Sequence, residues 1–385
     1  MSAIDEICVR RRDGGNQVAL VAAGRLVELR LDTGAPPPGA IVVGRVQTPS
    51  PDNAAVFVDI GAERSGFLRQ VDMIGEARDR PAPGDPVLVQ IVRAAGDGKG
   101  ARLSMKLALP GRFVVLRPQE TGVALSERIG DDGVRGRLAA ALADLATEAG
   151  LTVRTAAAEI EDEPLRAELL RAEALRLAQA WDAIRARALQ AKPPQVLSAP
   201  EDALGEAVRE HGRLLRRVVV DDRALRRPLE ALRQRHGDAF AIELQEGEPS
   251  GFDQHDLDAQ IEQALAPEVA LPGGGSIAIE PTRAFTAIDV DSGPARNALA
   301  VNLEAAEVVA QQLRLRNIGG AVLIDFIALR PAADRDRVLG RLALHLAADP
   351  LPTQVLGWTR LGLAEVARAR RGRPLAEALA ERASA

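Results

Sequence analysis

Hydrophobic positions along this chain switch between a two-residue and a 3.6-residue period, and the switches divide it into segments. Three short apolar runs, Ile7–Arg10, Val18–Val21 and Leu26–Leu31, are broken by turns at Gly14-Gly15 and Gly24 and predict a small β meander. Asp32–Gly39, with Gly34 and three consecutive prolines, predicts a linker. From Ala40 to about Val115, the runs Ile41–Val46, Ala55–Gly61, Gly66–Leu68 and Val87–Val92 alternate with turns. That spacing suits a small closed barrel of the oligonucleotide-binding kind.

Alternation within the barrel singles out one aromatic. Val56, Val58 and Ile60 share a strand face and fill the interior, which turns Phe57 outward beside Asp59. An outward phenylalanine is a candidate base-stacking platform, with Phe67 as its partner. The competing reading for either ring is ordinary core.

Helical periodicity follows. Gly133–Thr147 and Glu163–Gln190 predict helices, the second halted at Lys192-Pro193-Pro194. Between them Leu151–Thr155 predicts a short strand ending in Arg154 and Thr155, a cation and a hydroxyl suited to a phosphate, although such dipeptides are common on surfaces. From Pro200 to about Pro267, helices alternate with the strands Val218–Val220 and Ala239–Leu244, which would complete the N-terminal meander as a discontinuous domain.

The last third is an α/β unit. Ala284–Asp291 and Ala321–Ile327 are β-prone runs that deliver acids near their ends, and one helix's worth of sequence separates them. Such a strand, helix and strand form a parallel pair, whose ligands gather at the carboxyl ends of the strands. Asp289 and Asp325 should therefore face each other, and Asp291 shares the face of Asp289. Like charges about 4 Å apart repel by roughly 1 kcal/mol in water and about 4 near a protein surface, so such a cluster calls for a cation or a proton. Mg²⁺ suits oxygen donors and keeps waters and phosphates for its other positions. The plainer reading makes these acids helix caps or solvated strand ends. The crossover helix is expected to start near Asn302 and stop at Gly319-Gly320, and a second, about Ala332–Ala348, leads to a strand Gln354–Trp358. Arg360 then follows at the rim of the acids, placed to meet a phosphate.

Composition narrows the class. With 46% hydrophobic and 27% charged residues among 385, the chain reads as a soluble globular protein of several domains. No apolar run reaches a membrane span and no secretory signal opens the chain, so a cytoplasmic location is expected. The single cysteine, Cys8, excludes internal disulfides and Cys-rich zinc clusters. Net charge −5 excludes a general polyanion binder; local patches such as Arg10-Arg11-Arg12 and Arg368–Arg373 would have to act with a metal.

At these motifs the chain resembles the ribonuclease E/G family. The resemblance rests on Ala40–Leu68, Val153-Arg154-Thr155, Leu271–Ile277, Thr286–Val290, Asn302–Ala306, Arg314–Gly320 and Ile324–Ile327, in order and in register over most of the chain. It implies an α/β, multi-subdomain fold: a split RNase H-like scaffold (1–35 and 200–267), an S1-type OB barrel that binds RNA (36–115), a 5′-sensor (116–199) and a DNase I-like catalytic subdomain (268–385). It also implies Mg²⁺-dependent cleavage of single-stranded, A/U-rich RNA to 5′-phosphate and 3′-hydroxyl ends, in RNA processing or decay. Asp289 and Asp325 match the metal-binding aspartates, Phe57 and Phe67 the barrel aromatics that contact RNA, and Arg154 and Thr155 the residues that hold a 5′-phosphate.

The chain departs from the family pattern at several points. Asp291 stands where asparagine is usual, Ser126-Glu127-Arg128 replaces Ser-Arg-Arg and leaves Arg128 as the sensor cation, and an arginine is replaced around Pro352. The segment between Asp291 and Asn302 is short, and Ala328 stands in place of a second acid. The Cys-Pro-x-Cys zinc link is absent, so no zinc is expected, and a homodimer is expected in preference to a tetramer. Two other functions compete: a catalytically impaired RNA-binding member of the same family, and a generic phosphoesterase.

Overall fold

The computed structural model describes residues 3–12, 15–32, 37–50, 54–75, 80–95, 99–146, 148–247, 249–294 and 297–384. The turn residue Gly14, residues 33–36 of the expected linker, the end of the expected helix at Thr147, and residues 295–296 of the short segment after Asp291 lie outside them. The chain divides into two units, Met1–Asp32 with His211–Ala385, and Thr33–Glu210.

The first unit opens with β1 (Glu6–Arg12), β2 (Gly15–Ala22) and β3 (Arg25–Leu31), an antiparallel meander. The second unit begins with β4 (Ile41–Pro49), β5 (Ala55–Asp59), β6 (Gly66–Arg69), β7 (Pro86–Arg93) and β8 (Arg102–Ser104). β4 pairs with both β5 and β7, which closes the order β4-β5-β6-β8-β7 into a five-stranded barrel. Its interior is apolar: Val42, Val58, Leu68, Val89 and Leu103 are all at 0% exposure. Val56, Val58 and Ile60 are buried, while Phe57 stays half-buried on the outer face.

Next come β9 (Leu109–Pro110), β10 (Val114–Arg117), β11 (Val123–Leu125), α1 (Asp132–Leu142), β12 (Gly150–Val153), α2 (Glu163–Ala188), β13 (Gln195–Ser198) and α3 (Ala203–His211). The four strands ordered β11-β12-β10-β9 pack Leu116, Leu151 and Val153 against Leu138, Leu142, Leu170 and Leu177 of the two long helices. α2 starts where Asp162 accepts a hydrogen bond from the Leu165 N–H, a capping arrangement with Pro164 in the first turn. Its buried Glu173 accepts from the backbone N–H groups of Arg112, Phe113 and Val114 at 2.8, 2.6 and 2.9 Å, which fixes the entry into β10. β13 returns to pair with β4.

The chain then rejoins the first unit through β14 (Arg217–Val220), α4 (Arg226–His236) and β15 (Ala241–Leu244). These strands run parallel to β1, giving one sheet of order β15-β14-β1-β2-β3 built from both ends of the sequence. α5 (Gly251–Gln254) and α6 (Leu257–Leu265) cover it with Phe252, Leu257 and Ile261.

The last sheet comprises β16 (Glu268–Ala270), β17 (Ser276–Pro281), β18 (Thr286–Asp291), β19 (Gly320–Asp325), β20 (Thr353–Trp358) and β21 (Ala364–Arg368), in the order β16-β17-β18-β19-β21-β20. α7 (Ala298–Leu315) crosses between β18 and β19, α8 (Ala332–Leu346) lies before β20, and α9 (Leu375–Ser384) closes the chain. Ile277, Ile288, Ile324 and Val366 of the sheet meet Ala305, Val309 and Leu313 of α7 and Val338 and Leu342 of α8 in one apolar core.

One helix start and several strands, β13, β16 and β17 among them, differ from what the sequence predicts. α7 starts four residues before Asn302, because Asn297 is the cap and accepts from the Ala300 N–H at 3.2 Å. β21 was not foreseen, and it inserts antiparallel between β19 and β20.

Candidate active site

β18 and β19 run parallel with Asp289 opposite Asp325, the last registered pair between them. Their neighbours Ile288, Val290 and Ile324 point into the core, so period-two alternation sends both acids to the other face. Both are exposed. Adjacent strands lie about 4.8 Å apart, which puts the two carboxylates within reach of one ion.

Asp291, two residues on, shares that face and is exposed as well. Its Oδ1 accepts from the Gly293 N–H at 2.6 Å, turning the chain sharply after the strand. Together Asp289, Asp291 and Asp325, with Ser292, Phe326, Ile327 and Ala328, line an open cavity of about 400 Å³. Ala328 forms part of that wall.

The floor beneath Asp291 is built from glycines. Gly275 has φ +93°, and a Cβ there would meet the Asp291 carbonyl oxygen at 2.4 Å. Only a residue without a side chain permits that approach in that backbone region. Phe326 is held from behind by Trp358, ring centroids 6.0 Å apart and nearly edge-on, with the Arg335 guanidinium 4.8 Å over the indole.

The donor set matches a hard divalent cation. Asp289 and Asp325 present only oxygens, and among the described residues no cationic side chain pairs with either. The one set of three His, Cys, Asp or Glu residues whose ligand atoms all lie within 4.8 Å, again among the described residues, is Glu6, Cys8 and His255. There Glu6 already bonds Arg217 at 2.9 Å and Arg216 at 3.1 Å, so that cluster is a satisfied ion-pair network. The three aspartates of the cavity do not form a set that tight.

Arg360 is exposed beyond the end of β20. β20 runs in the same direction as β19, since both are antiparallel to β21, so Arg360 reaches the carboxyl edge of the sheet. β21 separates it from Asp325 by roughly 10 Å of sheet, two strand spacings, and it does not line the cavity.

On the barrel, Phe57 and Phe67 are cross-strand partners with ring centroids 5.7 Å apart and planes tilted by 57°. Both are half-buried on the outer face, and Arg102 of β8 is in register beside Phe67. Two rings thus lie side by side on the outer face, next to an Arg102 guanidinium that pairs with Asp72 at 3.2 Å.

In the sheet of β11 and β12, Leu125 pairs in parallel register with Val153, so Arg128 and Arg154 both follow the same end of that sheet. Arg128 is exposed. The Arg154 side chain donates to the Gly111 carbonyl at 2.7 Å, and Thr155 opens a short 3₁₀ turn. Asn302, expected only to mark the start of the crossover helix, lies inside it. Its buried amide bonds the backbone beside Asp325, a contact 25 residues apart that no local pattern announces.

The pattern of the ribonuclease E/G family matches residues 108–371. The chain is 37% identical over 388 residues to ribonuclease E of Nostoc sp. (strain PCC 7120), covering 94% of this chain and 56% of the relative. Against ribonuclease E of Escherichia coli K12 the identity is 34% over 396 residues, covering 94% of this chain and 36% of the relative. Against ribonuclease G of the same organism it is 30% over 394 residues, covering 95% and 80%. The chain spans about half the length, 56%, of the first of these ribonuclease E relatives. With more than half of its length matched by the family pattern, and with a ribonuclease G relative at 30% identity covered over 80% of its length, the chain belongs to the ribonuclease E/G family.

Proposed function

We propose that the chain is a Mg²⁺-dependent endoribonuclease acting on single-stranded, A/U-rich RNA. The registered pair Asp289 and Asp325 carries the proposal: two exposed carboxylates on one sheet face, at the carboxyl edge of a parallel strand pair. Those two residues would hold the ion, whose chemistry when bound is to polarise the scissile phosphate and lower the pKa of a water for in-line attack. Asp291, beside them, orients the attacking water or shares the ion. Phe57 and Phe67 stack bases and keep the strand extended. Arg154, Thr155 and Arg128 receive a 5′-phosphate beyond the shared end of β11 and β12, and Arg360 adds positive charge at the sheet edge. Products carry 5′-phosphate and 3′-hydroxyl ends.

The same reading assigns β1–β3 with β14–β15 to a split RNase H-like scaffold, the barrel to an S1-type module, and β16–β21 with α7–α9 to a DNase I-like subdomain. It places the protein in the cytoplasm, as a homodimer. Among the described residues, no helix is long and apolar enough to cross a membrane.

The deciding experiment incubates the full chain with a 5′-monophosphorylated A/U-rich oligonucleotide, with Mg²⁺ or with EDTA. Internal cleavage that requires Mg²⁺ is expected. Binding without metal-dependent cleavage would contradict the proposal and favour an RNA-binding family member without chemistry, a reading to which Ala328 in the cavity wall lends weight.

A further inference from the structure

We infer that Asn302 and Glu304, in the first two turns of α7, are positioning residues that clamp the two rims of the acid cavity and set its affinity for a divalent cation. The inference rests on the metal-site reading above and extends it to residues that touch neither ion nor RNA.

Asn302 is at 0% exposure, on a helix face otherwise made of Val301, Ala305 and Ala306. A buried amide without partners costs about 1–3 kcal/mol, so its presence needs a reason. Both ends of the amide are satisfied by one residue: Nδ2 donates to the Ile327 carbonyl at 2.8 Å, and Oδ1 accepts from the Ile327 N–H at 3.0 Å. Ile327 lies two residues past Asp325, in the segment that lines the cavity after β19 has ended. The side chain thus acts as a one-residue strand, pinning the backbone that carries Asp325.

Glu304 does the same for the opposite rim. Its carboxylate accepts from the Gly273 N–H with both oxygens, at 2.9 and 3.0 Å. Gly273 leads into Gly275, whose Cα face packs on the Asp291 carbonyl at the end of the other acid strand. A Cβ at Gly273 would meet Glu304 Oε2 at 2.7 Å, so a larger residue there would have to displace the carboxylate. One rigid helix, the crossover between the two acid strands, therefore holds both sides of the site. Affinity for an ion shared by two strands depends on how well their separation is fixed, and removing such supporting contacts typically weakens metal binding 10- to 100-fold.

The test measures Mn²⁺ binding by electron paramagnetic resonance on the full chain without RNA, for wild type, Asn302→Ala, Glu304→Ala, Glu304→Gln and Asp325→Ala, with thermal unfolding of each. Expected are a dissociation constant raised roughly 10-fold in both alanine variants, near-wild-type binding in Glu304→Gln, which keeps one acceptor, and loss of the site in Asp325→Ala. Wild-type affinity in folded Asn302→Ala and Glu304→Ala would overturn the inference while leaving the metal site intact. Should Asn302→Ala fail to fold, the half-buried Glu304 pair decides it by the same criterion. No Mn²⁺ binding in wild type would instead strike down the metal-site reading, and this inference with it.

Discussion

The Asp349 carboxylate and the Arg368 guanidinium form a bidentate ion pair at 2.7 and 3.2 Å, with side chains only 1% and 2% exposed. Arg368 also donates to the Ile318 carbonyl at 2.8 Å, so β21 is fastened to the loop that precedes β19. The strand behind the acid site is held by a charge pair that water cannot screen.

Asp349→Ala leaves that guanidinium buried and half-satisfied. A loss of roughly 3–5 kcal/mol is expected, because breaking one side of a buried pair strands the other charge. Urea unfolding checks it. A change below about 1 kcal/mol would show that the pair is exchangeable with water.

Acid sensitivity is expected from Glu28, which bonds Arg30 at 2.6 Å and Arg314 of α7 at 3.2 Å. Burial pushes its carboxyl up, but the two guanidinium charges outweigh burial and hold it at about 2, against an ordinary 4.5. A folded value below the unfolded one gives stability that is present above pH 4.5 and is lost as pH falls from there toward 2. The contribution is on the order of 3 kcal/mol near neutrality. Glu28→Gln should therefore be less stable than wild type at pH 7, with the gap narrowing toward pH 2. A gap independent of pH would contradict the assignment.

On the barrel, Phe57→Ala and Phe67→Ala should each weaken single-stranded RNA binding by about 1–3 kcal/mol, the usual worth of one base stack. Fluorescence anisotropy in EDTA isolates binding from cleavage. Unchanged affinity in both variants would return the rings to a structural role.

Asp291→Asn keeps the oxygen that accepts from Gly293 and removes one negative charge from the cavity. Turnover at saturating Mg²⁺ is expected to rise, since substrate phosphate meets less repulsion. A large fall in single-turnover rate would give the Asp291 charge a direct part in the reaction.

Much of the architecture was legible because the relevant signals are local. Runs such as Ala287-Ile288-Asp289-Val290-Asp291 are β-branched and alternate, and they form the strand with its acids on one face, as the period requires. The alternation Val56, Phe57, Val58 likewise placed one ring outside the barrel. Ala364-Glu365-Val366-Ala367-Arg368 was not legible as a strand, since alanine, glutamate and arginine favour helix. Burial of Ala364 and Val366 beside β19, together with the Arg368 pair, overrides that preference. Asn297 and Asn302 are both good caps by composition, and what distinguishes them is long-range: Asn302 finds Ile327 across the fold.

The central claim is that Asp289 and Asp325 share one divalent cation at which RNA is cut, and single-turnover cleavage of a 5′-monophosphorylated A/U-rich oligonucleotide tests it most directly. Wild type should cleave in Mg²⁺, whereas Asp289→Ala and Asp325→Ala should each lose at least about 100-fold in rate, the scale of the charge stabilisation removed, with RNA affinity and folding retained because both positions are exposed. Wild-type cleavage by either folded variant would contradict the account.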